Sequence, residues 1–240
     1  MSTPQRPVAV VTGATRGIGR AVVEDLAASH HVVVCGRSAE SVRAAVTDLP
    51  SAEGFSADLA DCGPGGSLER GLADLVPRLP RVDVLVHCAG VLRRGSVADV
   101  PMSDWELSMR VNLVAVAGIT RALLPALRTA HGLVVVLNSG AGLNASATMG
   151  PYSASKFALR AFADMLRDEE RANGVRVTSI HPGRVDTDMQ REMIDFEEAQ
   201  YRADEYLRVG SVISAVRLAV TATPEASIDT LTVRPRGFRP

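Results

Sequence analysis

Tyr152 and Lys156 stand four residues apart in the stretch Tyr152-Ser153-Ala154-Ser155-Lys156. On a helix, positions i and i+4 share a face, so a phenol and an ammonium become neighbours. A free phenol has a pKa of about 10, too high for ready proton exchange near neutrality. A nearby ammonium favours the phenolate and is expected to lower that value. The pair suits general acid–base work, giving a proton to a carbonyl oxygen or taking one from an alcohol. Ser139, in Asn138-Ser139-Gly140, lies upstream in a position to hydrogen-bond the same oxygen and stabilise developing charge. A Tyr-x-x-x-Lys pair by itself is commonplace in amphipathic helices. Composition adds weight here: Lys156 is the only lysine, and the rest of the 26 basic residues are arginine. A lone lysine in such a chain points to a task that arginine cannot do.

A second constellation is Thr12-Gly13-Ala14-Thr15-Arg16-Gly17-Ile18-Gly19. It follows the apolar run Val8–Val11 and opens a helical pattern. Backbone N–H groups and a helix N-terminus would then face a pyrophosphate above the strand end, and glycine lets the phosphates approach. Gly13, Thr15, Arg16, Gly17, Ile18 and Gly19 are the expected cradle of a dinucleotide. NAD sites commonly carry a carboxylate after the second strand. This chain has Cys35-Gly36-Arg37-Ser38 there. Arg37 suits a 2′-phosphate, and Arg16 adds a second positive charge. The expected cofactor is NADP(H), which would itself carry the hydride. NADP+ would also place a positive charge near the phenol.

These residues need a scaffold. Short apolar runs at Val8–Val11, His31–Cys35, Gly54–Ala57, Val82–Val86, Leu133–Leu137, Val175–Ile180 and Ile228–Val233 read as strands. Helical patterns lie between them, at 17–29, 39–49, 68–76, 105–130, 152–173 (closed by Gly174), 187–206 and 211–221. The alternation predicts an α/β fold: a single-domain doubly wound Rossmann sheet of seven parallel strands flanked by helices, spanning 1–240. The 184–206 stretch is expected to form a lid beside the site.

Bulk properties exclude other classes. Hydrophobic residues make up 46% of the chain, charged residues 22%, and the net charge is −1. Without a basic stripe, nucleic acid is not an expected partner. Cys35, Cys62 and Cys88 match no zinc spacing, and an odd count argues against a disulfide framework. The N-terminus lacks an apolar signal core, and no run of about 18 apolar residues stands out. A cytoplasmic protein without a membrane partner or a metal is expected.

Taken together, the motifs resemble those of the short-chain dehydrogenase/reductase family, from Val8 to Val233. The resemblance implies interconversion of a small-molecule carbonyl and an alcohol, with Asn112, Ser139, Tyr152 and Lys156 as the catalytic set. It implies that Asn112 helps hold a water in a proton relay through Lys156, and that Lys156 binds the nicotinamide ribose. Asp58 and Leu59 would lie near the adenine, and Ala89 and Gly90 beside the cofactor. Pro182, Gly183, Val185 and Thr187 would meet the nicotinamide, Thr187 at its carboxamide. The family's Asn-Asn-Ala-Gly element is here His87-Cys88-Ala89-Gly90. The family's Gly-Gly-containing tail is replaced by Val233-Arg234-Pro235-Arg236-Gly237-Phe238-Arg239-Pro240. A homodimer or homotetramer is implied, with 105–130 and 152–173 as the dimer helices.

Three segments should wall the substrate: residues after Gly90, the 140–150 loop and the 184–206 stretch. Met189, Met193 and Phe196 recur at helical spacing in the last. They suit an adaptable apolar surface. Arg184 is a candidate for holding an acidic substrate. The competing reading is a cofactor-binding sensor or scaffold on the same fold, without turnover.

Overall fold

The computed structural model describes residues 6–236. Residues 1–5, and 237–240 of the unusual tail, lie outside the described residues.

Strands β1 (Val8–Thr12) and β5 (Leu133–Leu137) are buried at every position. Such runs do not alternate because a parallel sheet is covered on both faces. With β2 (His31–Gly36), β3 (Ala52–Ser56), β4 (Val84–His87), β6 (Arg176–Pro182) and β7 (Thr230–Val233), they form one seven-stranded sheet. The order is β3-β2-β1-β4-β5-β6-β7, and every pairing is parallel. The chain winds outward from β1 to β3, then returns to β4 on the other side of β1. That reversal opens a crevice at the carboxyl ends of β1 and β4, where ligands of such sheets bind.

The pleat sorts neighbouring residues onto two cores. Val8 and Val10 face α3 (Ser67–Leu75), α5 (Ala115–Ala130) and α6 (Gly150–Glu170) through Leu72, Leu123 and Leu159. Ala9 and Val11 face α1 (Gly17–Leu26), α2 (Ala39–Val46) and α8 (Val209–Val220) through Val22, Ala45 and Val212.

Three expectations need correction. The helix expected over 105–130 is broken into α4 (Met102–Met109), a π-helical turn (Arg110–Val114) and α5. Hydrophobic spacing does not register a single wide turn, yet this one contains Asn112. The helix expected over 187–206 ends early, as α7 (Asp188–Phe196). Glu197 caps it, Glu198 turns to φ +50°, and no basic residue in the last turn offsets the helix dipole. Finally, Met102–Ala130 is long and apolar enough, by length and composition, to cross a bilayer. In the fold Val116, Ile119, Leu123 and Leu127 of that run are buried in the core.

Candidate active site

The carboxyl end of β5, the start of α6 and the π turn before α5 supply the predicted catalytic residues. Ser139 follows β5, and its hydroxyl accepts a bond from Ala141 N–H at 3.1 Å. Pro151 occupies the first turn of α6, where its missing N–H costs nothing. Tyr152 comes next and is buried. One turn on, the buried Lys156 Nζ lies 5.7 Å from the Tyr152 ring centroid and donates to the Leu137 carbonyl at 3.1 Å.

Asn112 supports this turn of α6 from behind. Its Nδ2 donates to the Val91 carbonyl at 3.0 Å and to Ser155 Oγ at 2.9 Å, while its Oδ1 accepts from Val91 N–H. Ser155 Oγ in turn donates to the Tyr152 carbonyl at 2.8 Å. Both N–H bonds of the amide are therefore committed to protein.

The glycine turn stands beside this group. Gly13 adopts φ +63°, and a Cβ there would come within 2.7 Å of Ala89 Cα. Gly17 adopts φ +55° at the start of α1, and nothing lies within 4 Å of where its Cβ would be. One glycine thus lets β1 and the β4 loop touch, and the other leaves open space over a helix N-terminus. That space fits a phosphate.

Comparisons with known proteins bear on the family and the fold. Residues 7–198 match the family model described as short chain dehydrogenase. The chain belongs to the short-chain dehydrogenase family. It is 31% identical over 193 residues to the 3-oxoacyl-(acyl-carrier-protein) reductase FabG of Escherichia coli K12, covering 80% of this chain and 79% of that one. It is 29% identical over 238 residues to an uncharacterized oxidoreductase of Staphylococcus epidermidis, covering 98% and 100%. Among solved structures, an actinorhodin polyketide ketoreductase variant with NADPH superposes with a TM-score of 0.86, at 27% identity and 98% coverage of both chains. This short-chain dehydrogenase is accordingly an oxidoreductase.

Electrostatics depart from the sequence expectation at Tyr152. Burial raises the phenol above its ordinary value, and the Ser139 hydroxyl only partly opposes it. The expected depression by Lys156 is not what the fold produces, because burial of the phenol itself dominates. Lys156 is lowered to about 8 by burial, with Cys88 pulling the other way. Burial likewise pushes the Cys88 thiol up to about 12, opposed by Lys156. His87 is lowered to about 3 by burial and is neutral, its Nε2 2.9 Å from Thr120 Oγ1. The backbone N–H groups of Cys88 and Ala89 both donate to Thr12 Oγ1, at 3.2 Å. Thr12 thus ties the β4 end to β1, in a chain that lacks both asparagines of the family element.

The remaining predicted residues are distributed around the crevice. Thr15 and Ile18 are half-buried, and Gly19 is buried in α1. Arg16 and Arg37 are exposed, and Arg16 lies 3.8 Å from Asp188. Asp58 is exposed, its Oδ1 accepting from Ala60 N–H, while Leu59 packs against the core. A Cβ on Gly90 would meet Asn112 Oδ1 at 3.3 Å and Lys156 Nζ at 3.7 Å. Pro182 ends β6, Gly183 N–H donates to the Val233 carbonyl, and Val185 is buried. Thr187 serves as N-cap of α7, accepting from Gln190 N–H and donating to the Val185 carbonyl.

Sequence reasoning missed several supporting residues. Asn138 Nδ2 donates to the Lys156 carbonyl, and its Oδ1 accepts from Ser139 N–H. His181 is buried, with Nδ1 3.1 Å from the Ser139 carbonyl and Nε2 2.9 Å from Ser179 Oγ. Polar residues at the ends of apolar strands are the available signal for both. In α7, Gln190 and Ile194 are the buried residues, whereas Met189 and Met193 are half-buried and Phe196 is exposed. The methionine stripe is therefore not the core face of that helix.

Proposed function

We propose that this oxidoreductase interconverts a small-molecule carbonyl and an alcohol with NADP(H). The arrangement of Ser139, Tyr152 and Lys156 beside the glycine turn carries the reading. The dinucleotide, when bound, supplies or accepts the hydride. Gly13, Thr15, Gly17, Ile18 and Gly19 would hold its pyrophosphate, and Arg16 and Arg37 its 2′-phosphate. The Arg16–Asp188 contact is long and exposed, so turning Arg16 to a phosphate costs little. Asp58 and Leu59 would border the adenine, and Ala89, Gly90, Tyr152, Lys156, Pro182, Gly183, Val185 and Thr187 the nicotinamide half. The NADPH bound by the actinorhodin ketoreductase supports this choice of cofactor.

Tyr152 gives its phenolic proton to the carbonyl oxygen during reduction and takes it back during oxidation. The raised phenol is fully protonated near neutrality, which favours its use as an acid. Ser139 steadies the same oxygen through its hydroxyl. Lys156, with a pKa of about 8, exchanges protons in the working range and can resupply Tyr152. Asn112 acts on the site by fixing Val91 and Ser155.

The 184–206 stretch covers the substrate, with Met193 and Phe196 on its working face. Copies associate as a homodimer or homotetramer through α5 and α6, with Val114 exposed just before α5 and Phe157 and Met165 exposed on α6. All three cysteines are free, in keeping with a reducing compartment, the cytoplasm.

The test is Tyr152→Phe, assayed with NADPH and a panel of ketones and aldehydes. Turnover should fall about a hundred- to ten-thousand-fold while NADPH affinity is kept. Near-full activity of the variant would remove Tyr152 from its role. NADPH binding by the unaltered protein, without turnover on any carbonyl, would favour the sensor reading instead.

A further inference from the structure

Arg94, Arg184 and Glu197 belong to three different segments and meet at the carboxyl edge of the sheet. Arg94 lies in the loop that leaves β4, four residues past Gly90. Arg184 directly follows Gly183 beyond β6, and Glu197 caps α7. The Arg184 fork grips Glu197 at both ends, with Nη1 3.0 Å from Oε2 and Nη2 2.9 Å from Oε1. Arg94 Nη1 donates to Oε1 at 3.2 Å. Two guanidinium groups thus share one carboxylate, which leaves the cluster with an excess positive charge.

Arg94 is tightly held. Its side chain is only 11% exposed and stacks 4.3 Å over the Phe196 ring. Its Nη2 reaches Thr148 Oγ1 at 3.4 Å, four residues before Tyr152. The Nε–H is buried and has no partner among the described residues. An unpaired charged donor in such a place is costly.

Glu197 sits where its own helix disfavours it. A carboxylate at a helix C-terminus opposes the dipole. Burial alone would raise its pKa, but the bonds and charge of Arg184, then those of Arg94, outweigh it and hold Glu197 below the usual carboxylate range. The two arginines are what keep the anion there.

We infer that Arg94 and Arg184 form an anion-binding subsite of the substrate pocket, filled by Glu197, and that carbonyl substrates bearing a carboxylate bind by displacing it. This rests on the carbonyl-reductase reading and adds a substrate class to it. A substrate carboxylate would take the same charge-assisted bonds from the two guanidinium groups. Displacing Glu197 needs only a change of its side-chain rotamer, since its backbone is held separately by the bonds that close α7.

The test compares 4-oxopentanoate with its methyl ester, which differ in charge but share the ketone. The unaltered protein should favour the acid in kcat/KM. Glu197→Gln should raise the acid-to-ester ratio about tenfold, the scale of one charge-assisted contact. Arg94→Gln should lower it by a similar factor. An unmoved ratio in Glu197→Gln, or acid and ester changing in parallel, would reduce the cluster to a simple latch and overturn the inference. If neither compound is reduced, it is the reductase reading that suffers, and calorimetric binding of 4-oxopentanoate decides the subsite separately. Tighter binding to Glu197→Gln supports it, and unchanged affinity overturns it.

Discussion

The Lys156 ammonium donates to the Leu137 carbonyl at 3.1 Å, binding the middle of the active-site helix to the end of β5. This single bond accompanies a fully buried cation, and burial lowers Lys156 from 10.5 to about 8. In the unfolded chain the amine keeps its proton up to its ordinary value. Between about pH 8 and 10.5 the unfolded state therefore binds more protons, and stability gains from this residue as pH rises. Below pH 8 the full cost of burying the charge applies, up to about 3 kcal/mol. Thermal melts of Lys156→Met and the unaltered protein should show the variant's relative stability declining from pH 7 to pH 10. A difference that stays flat or grows would contradict the burial of a titrating amine.

Arg37 occupies the position where a carboxylate would read ribose hydroxyls. Arg37→Asp should raise KM for NADPH at least about tenfold, through loss of a charge-assisted bond and added repulsion. KM for NADH should stay level or fall. Steady-state kinetics with both cofactors measures this, and a preference that does not move would take Arg37 out of the 2′-phosphate site.

Two glycines of one turn should respond in different ways. Gly13→Ala drives a methyl into the Ala89 backbone, so the fold itself should lose stability. Gly17→Ala meets no protein atom. Its positive φ costs about 1 kcal/mol, while the methyl enters the proposed phosphate space. Melting temperature should drop more for Gly13→Ala. Cofactor affinity should drop for Gly17→Ala while the protein remains folded, as a fluorescence titration with NADPH would show.

His181 holds Ser139 by its backbone. Burial lowers its pKa, with the bond to the Ser139 carbonyl opposing, so the ring is neutral at pH 7 and Nδ1 is the donor in this arrangement. His181→Asn keeps a donor near the Nδ1 position, and His181→Leu removes it. The leucine variant should lose about tenfold in kcat, the scale of one hydrogen bond, with KM for NADPH little changed. The asparagine variant should recover most of that loss. Equal losses in both would mean that His181 acts only by filling space.

Much of this was legible in the sequence because it repeats. The β-branched runs marked the central strands, since a doubly covered sheet favours apolar residues at both faces, whereas β3, Ala52–Ser56, carries no such run. Tyr152, Lys156 and the glycine turn were legible because their chemistry requires fixed spacing. What escaped were relationships between distant segments. His181 beneath Ser139, Asn138 against the Lys156 carbonyl, and Arg94 with Arg184 on Glu197 each join residues from different loops or strands. The direction of the Tyr152 shift escaped for a related reason: charge spacing is written in sequence, whereas burial is a property of the assembled pocket.

The wide turn at Arg110–Val114 has a consequence for how this chain can change length. A π turn closes its hydrogen bonds one residue later than an α turn. Deleting a single residue there would leave an unbroken α-helix, satisfactory by hydrophobic pattern and propensity. Because the wide turn spreads its extra residue over nearly the rotation of an α turn, α4 and α5 would keep their phase and only the residues of the turn itself would be re-aimed. Asn112 would swing off Val91 and Ser155, and the Tyr152 turn would lose its support with no catalytic side chain altered. At this place the count of residues is itself part of the active site.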